Sequence, residues 1–320
     1  MPTALITGVS GQDGSYLAER LHDEGWDVHA LVRREAVESE QEIGDWVVGH
    51  VGDLLDPDSL TAAVEASEPD CIFNLAGASS VAFSWEKPLL TAKATGLAVG
   101  VLLEAAWSLQ KSRGTEVRFV QASSAEVFGA ARQDPQDENT PIRPVTPYGA
   151  AKAYGHHLVG VYRGAGMFAA SCIFYNHESP RRPTTFVTRK ITEGVARIAA
   201  GRATELVLGN LDARRDWGWA PDYMHAMARV ATAEKADDFV IATGEARSVR
   251  EFVAAAFAAV DIEDWARFVR MDDRFNRPVD APMMRGDSSK ARKVLGWAPT
   301  VSFDELVAAM VRHDLKLLAD

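Results

Sequence analysis

The sequence predicts an α/β protein: a doubly wound parallel sheet with a smaller α/β domain after it. Three observations predict this. An apolar strand, a glycine-rich turn and an amphipathic helix follow one another at the start. Strand-length apolar runs then alternate with helical stretches as far as Phe174, the pattern of βαβ units. From Asn176 onward the pattern turns to polar loops, short strands and helices.

Residues 3–7 form the first strand. Gly8-Val9-Ser10-Gly11-Gln12-Asp13-Gly14 follows at once, and a helix is expected over 15–24. The glycines permit a tight turn and close backbone approach, and the helix N-terminus offers free amides to a diphosphate. The turn therefore predicts dinucleotide binding and a Rossmann-like domain, although its spacing is Gly-x-x-Gly-x-x-Gly. The second strand, 26–32, ends in Arg33-Arg34. An NAD site usually places an acid there, whereas Arg suits the 2′-phosphate of NADP; the alternative is two solvated surface arginines. A third strand over 47–51 closes in Gly52-Asp53-Leu54, with Asp53 a candidate for the adenine edge. A helix over 56–68 leads to a strand at 71–75. The small-residue turn Ala76-Gly77-Ala78-Ser79 then lets backbone approach a cofactor. One long helix over 88–112 precedes a strand at 117–121. A helix opening at Tyr148 precedes a strand at 167–174.

In the second half, 176–183 reads as a polar loop, 186–200 as a helix and 206–208 as a strand. Residues 210–222, dense in charge and tryptophan, read as a loop. A helix over 223–235 and a strand at 238–242 follow. Ser248 caps a helix running to 260, with Glu251 at the capping-box position. A strand at 267–271, a loop at 276–278 and helices at 288–295 and 303–318 end the sequence. The first domain is thus expected over 1–175, with about 210–245 returning to it, and the second over 176–320.

The chemistry concentrates between Gln121 and Lys152. Ser124 brings a hydroxyl, Glu126 a carboxylate, and Tyr148-x-x-x-Lys152 a phenol and an amine. Residues four apart share a helix face, so Tyr148 and Lys152 point the same way. A free phenol, with a pKa of about 10, is a poor base at neutral pH, and a nearby lysine cation favours the phenolate. By itself this spacing also describes an exposed Tyr-Lys pair on an ordinary helix. Here it falls beyond the carboxyl ends of the predicted strands, where ligands bind such sheets.

With a net charge of -11, a general nucleic-acid or anionic-membrane surface is not expected. Anionic ligands would need local arginines. Cys71 and Cys172 lie far apart in apolar runs and read as buried thiols in a reducing compartment. No metal site is expected, since His156 and His157 are adjacent on a helix and His177-Glu178 lacks a second histidine. No signal peptide precedes the first strand, and no apolar run is expected to span a bilayer. The expected location is cytoplasmic.

The glycine turn with Tyr148-x-x-x-Lys152 resembles the extended short-chain dehydrogenase/reductase superfamily. The opening from Ile6 to Glu19 narrows this, because it resembles GDP-mannose 4,6-dehydratases. So do the blocks at 121–126, 147–152, 176–182, 186–191, 209–218, 239–252 and 277–306, so the likeness covers essentially the whole chain. The resemblance implies a lyase that dehydrates GDP-mannose to GDP-4-keto-6-deoxymannose by internal hydride transfer through bound NADP. It implies a catalytic set of Ser124, Glu126, Tyr148 and Lys152. Cofactor contacts carried over are Gly8, Gly11, Gln12, Asp13, Arg33, Asp53, Leu54, Leu75, Ser79, Tyr148, Lys152, His177 and Arg182. The nucleotide-sugar side would use Asn176, Val187, Lys190, Gly209, Arg215 and Arg277, whose guanidiniums suit a diphosphate. Arg214 fits ordinary surface charge better than Arg215 does. The expected partners are a GDP-sugar and a second copy of the chain in a homodimer, with a homotetramer as the alternative.

The sequence departs from the family in several places. Ser124 stands for a usual Thr, keeping the hydroxyl; Ala125 replaces Ser and Ser80 replaces His. Pro183-Thr184-Thr185 lacks a usual glycine, and Asp280 and Pro282 replace a Glu and an Asp near the nucleotide. The segment between Arg34 and Gly52, which helps build a tetramer in relatives, is shorter. Three other readings stay open: another GDP-sugar such as a GDP-manno-heptose, a 4-keto reductase or epimerase, and a silent NADP-binding protein. Glu126 favours dehydration, because reduction and epimerisation need no base for elimination of water.

Overall fold

The first apolar strand sits inside the main sheet, because helices cover both of its faces. The computed structural model describes every residue except 35–43, 276–278, 280, 282 and 320. β1 (Thr3–Thr7) leads through the glycine turn into α1 (Gln12–Asp23), followed by β2 (Asp27–Val32) and β3 (Val48–Val51). Next come α2 (Pro57–Ser67), β4 (Cys71–Asn74), α3 (Val81–Glu86), α4 (Pro88–Arg113) and β5 (Arg118–Ser124). α5 (Pro147–Gly164) precedes β6 (Ala169–Phe174). The second half adds β7 (Asn176–Glu178), α6 (Val187–Ala199), β8 (Leu206–Leu208), β9 (Arg214–Trp219) and α7 (Ala220–Ala231). β10 (Asp238–Ile241), β11 (Ala246–Ser248), α8 (Val249–Ala258) and β12 (Val269–Met271) follow. Last come β13 (Met283–Met284), α9 (Ser289–Leu295) and α10 (Phe303–Ala319).

The main sheet has seven strands in the order β10-β6-β5-β4-β1-β2-β3, and every pairing in it is parallel. Alternate residues of a strand face opposite sides. Ala4 and Ile6 therefore pack with Leu17 and Leu21 of α1, Met224 and Met227 of α7, and Leu295 at the end of α9. Leu5 packs the other way, with Leu60 and Val64 of α2, Leu102 and Leu103 of α4, and Val159 of α5. Each side chain of this size contributes about 1.5–3 kcal/mol when fully buried. The second half holds its own core, where Trp217 of β9 meets Phe252 of α8 and Met310 of α10. Ser248 and Glu251 form the expected capping box at the start of α8. Both cysteines are free and buried.

Several expectations need correction. α1 begins at Gln12, so Gly14 lies in its first turn. Residues 176–178 and 214–219 are strands, not loop: β7 pairs with β9, and β9 also takes β11 and β13 as partners. Their polar residues hid them, since Glu178, Arg215 and Asp216 are buried through specific partners. The long helix α4 contains a π-helical turn at Ala92–Leu97, where Thr95 Oγ1 accepts the Ala78 amide at 2.9 Å. α4 is also long and apolar enough, by length and composition, to cross a membrane, against the expectation from the sequence. Much of that apolarity faces the sheet, as Leu102 and Leu103 are buried against it.

Candidate active site

The glycine turn is built for close approach. Gly8 has φ +77°, and a Cβ there would lie 3.0 Å from the Ala76 amide nitrogen. A Cβ on Gly14 would fall 2.1 Å from the Gly8 carbonyl oxygen, which no side chain tolerates. Gly11 closes the turn by donating to the Gly8 carbonyl at 3.0 Å. It brings no capping side chain to α1, whereas Asp56, Thr146 and Ser248 cap α2, α5 and α8. The helix start at this turn keeps its amides for an anion. The other cofactor candidates gather past the ends of neighbouring parallel strands. Arg33 is exposed just beyond β2. Asp53 and Leu54 follow β3, and the Asp53 carboxylate accepts the Leu55 amide at 2.8 Å. Leu75 follows β4 and donates its amide to Thr7 Oγ1 at 3.1 Å; Ser79 is exposed ahead of α3. These residues fit a dinucleotide with its diphosphate on α1.

Ser124 ends β5 and Tyr148 lies in the first turn of α5, with the Ser124 hydroxyl close enough to act on the Tyr148 phenol. Ser124 Oγ also accepts the Glu126 amide at 3.2 Å. Lys152 is buried one turn along α5; its Nζ donates to the Ala122 carbonyl at 2.7 Å and sits 5.8 Å from the Tyr148 ring centroid. The start of α5 is fixed by residues that the sequence reading passed over. Thr146 accepts the Gly149 amide at 3.0 Å, and Pro147 supplies the favoured first helical φ. A Cβ on Gly149 would meet the Glu126 carbonyl oxygen at 2.5 Å, so α5 packs directly on the Glu126 segment. The Thr-Pro pair before Tyr148 was the available signal.

The electrostatics differ from the simple expectation for Tyr148. Burial pushes its phenol well above the ordinary value, and the charges of Glu126 and Asp13 push the same way. The Ser124 hydrogen bond and the Arg182 charge pull it down, without offsetting the burial. Burial lowers Lys152 to about 8, with the Asp13 charge opposing. Beside the nearby lysine, the phenol answers to its burial and to charges from several elements.

His177 and Asp13 come together from opposite halves of the chain. His177 Nε2 lies 2.9 Å from Asp13 Oδ2, and its Nδ1 lies 2.7 Å from the Tyr175 carbonyl. Gln12 donates to the His177 carbonyl at 3.1 Å and accepts from Ser179 Oγ at 2.8 Å. The side chains of Gln12 and Asp13 thus tie the glycine turn to β7. Arg182 pairs with Glu178 at 3.0 Å and lies over the Phe186 ring at 4.0 Å. Asn176 is half-buried beside Trp217. Val187 is exposed at the start of α6, and Lys190 lies 3.5 Å over the Phe275 ring. Gly209 follows β8. Arg215 is buried and donates to the carbonyls of Arg214 and Ala281 at 2.8 and 2.9 Å, while Arg214 is half-buried and faces Glu251 at 3.2 Å. Arg277, and with it Asp280 and Pro282, lies outside the described residues.

A family model described as GDP-mannose 4,6 dehydratase matches residues 5–310. The chain is 43% identical to GDP-mannose 4,6 dehydratase 1 of Arabidopsis thaliana over 98% of this chain and 90% of that one. It is 40% identical to the Homo sapiens GDP-mannose 4,6 dehydratase over 98% of this chain and 92% of that one. Among solved structures, RMD from Pseudomonas aeruginosa complexed with NADPH superposes with a TM-score of 0.81 at 23% identity, covering 99% of this chain and all of that one. The Thermus thermophilus UDP-glucose 4-epimerase in complex with NAD gives 0.83 at 26% identity over 98% of both chains.

Proposed function

The chain belongs to the GDP-mannose 4,6-dehydratase family, and from that premise we propose that it converts GDP-mannose to GDP-4-keto-6-deoxymannose with loss of water. The observation that carries this is the meeting of Ser124, Tyr148, Lys152 and Glu126 past the end of β5. A nicotinamide nucleotide would lie on the Gly8–Gly14 turn, and Arg33 at the end of β2 supports NADP over NAD. When bound, it supplies a hydride acceptor at carbon 4 and returns that hydride at carbon 6. The chain's own groups handle the protons. Tyr148, as phenolate, takes the proton of the carbon 4 hydroxyl, and Ser124 hydrogen-bonds the same oxygen. Lys152 holds the nicotinamide ribose. The ketone at carbon 4 acidifies the proton on carbon 5. Glu126 removes that proton and assists departure of the carbon 6 hydroxyl as water; a proton later returns to carbon 5. The net reaction is redox-neutral.

Asn176, Val187, Lys190, Gly209 and Arg215 would face the nucleotide sugar, and Arg182 and His177 the cofactor. Exposed Leu89, Leu97, Tyr154 and Val161 lie on α4 and α5, two helices that pack on each other; apolar side chains left open on neighbouring helices support pairing as a homodimer. The direct test incubates the purified protein with GDP-mannose and a panel of other nucleotide sugars, with and without NADP⁺. Mass spectrometry should find GDP-mannose lighter by one water, without net NADPH. Dehydration of another GDP-sugar but not GDP-mannose would overturn the substrate; no dehydration with cofactor bound would overturn the reaction.

A further inference from the structure

The loop that follows β7 is fastened along one face of α1. Gln12, Ser15, Tyr16 and Glu19 fall at helical spacing and make one stripe on that helix. Gln12, in the first turn, donates to the His177 carbonyl and accepts from Ser179 Oγ. Arg181 covers the rest of the stripe. Its guanidinium donates to Ser15 Oγ at 3.0 Å and to Glu19 Oε1 at 2.7 Å, and lies 3.9 Å from the centre of the Tyr16 ring.

The two sides of this loop are held differently. Toward the second half of the chain its anchors are buried. Glu178 pairs with Arg182 at 3.0 Å and accepts from the Thr188 hydroxyl at 2.6 Å. Arg189 of α6 donates through Nε to the Arg182 carbonyl at 3.0 Å and pairs with Asp314 of α10. Parting such a pair leaves a charge buried and uncompensated. Toward α1 the outermost contact is open to water, with the Arg181 and Glu19 side chains 38% and 49% exposed. Exposed pairs part at little cost, so the loop gives way first at Arg181.

The loop therefore joins the first turn of α1, which keeps its amides for a diphosphate, to His177 and Arg182, the cofactor candidates on either side of Arg181. A nucleotide held from both sides leaves when the two sides separate. We propose that Arg181 is the latch of a clasp: by fastening the loop after β7 to α1 it slows release of the nicotinamide nucleotide, and so keeps one cofactor molecule in place through a reaction that takes back its own hydride. The inference rests on the reading of the Gly8–Gly14 turn as the seat of that cofactor.

The test is the rate at which NADPH leaves the full-length protein, followed by its fluorescence after a chase with excess NADP⁺, without sugar substrate. In R181A the ring contact and the ion pair are both lost, and release should be about tenfold faster. E19Q separates a latch from simple attraction between Arg181 and a phosphate. It removes an anion near an anionic ligand, so attraction alone would slow release; a latch that has lost its catch should release about twofold faster. Release from R181A at the wild-type rate overturns the proposal, and so does slower release from E19Q. If the wild type binds neither NADPH nor NADH, the cofactor reading falls and takes the latch with it. If the wild type binds NADPH and R181A releases it no faster, the latch alone falls. Should R181A not fold, the direction of change in E19Q decides.

Discussion

Ser124 and Glu126 are two residues apart, yet the backbone gives them separate tasks. Ser124 still belongs to β5, where register with Phe174 fixes it, while Glu126 has turned into a short 3-10 segment behind it. The serine hydroxyl and the carboxylate both stay close enough to act on the Tyr148 phenol, in opposite directions. A positioned acid-base group is typically worth about 10²–10⁴-fold in rate. Glu126→Gln should lose at least that much dehydration while cofactor affinity is kept, checked by product mass and cofactor titration. Retained dehydration would remove Glu126 from the mechanism. Removing its negative charge also relieves one of the influences raising Tyr148, so a loss of rate in this variant belongs to the elimination step.

At the scale of elements, the site depends on how α5 starts. The Thr146 cap and the Gly149 contact decide where Tyr148 and Lys152 lie relative to the end of β5. Losing such a cap costs about 0.5–2 kcal/mol. Thr146→Ala should therefore lower thermal stability slightly while reducing kcat more than it changes KM, because Tyr148 in the first turn of α5 is held less firmly against the end of β5. Steady-state kinetics beside a melting curve would check this. The parallel strands, the glycine turn and most helices were legible from apolar periodicity and caps. β7 and β9 were not. Glu178 pairs with Arg182 and accepts from the Thr188 hydroxyl, and Asp216 accepts from Thr243, Gly244 and Gly286. Buried carboxylates whose partners only the folded chain supplies read as loop. The Asp13–His177 contact escaped for the same reason: each residue looked like a cofactor ligand, and their partnership exists only in the folded chain. The π turn in α4 had no sequence mark, since Ala92–Leu97 reads as ordinary helix.

The whole molecule is held together by interleaving. α7 and β10 come from the second half yet complete the first core, with Tyr223, Met224, Met227, Phe239 and Ile241 in the same cluster as Ile6 and Leu17. Trp297, later still, joins it and donates its indole N–H to the Asp222 carbonyl at 2.7 Å. A fragment ending at residue 175 would leave β6 as a bare edge and one face of the sheet uncovered, and open apolar edges invite aggregation. Expression of 1–175 should give insoluble or associated material, whereas the full chain stays folded; a monomeric, cooperatively melting fragment would show that the returning segment is dispensable. The same arrangement has a consequence in time. A ribosome adds about 5–20 residues per second, so the newborn chain waits on the order of seconds between finishing Phe174 and delivering Asp238 to cover it. Throughout that wait the most apolar edge of the sheet is open to chaperones and to neighbouring nascent chains, and biosynthesis is the stage at which this fold is most vulnerable.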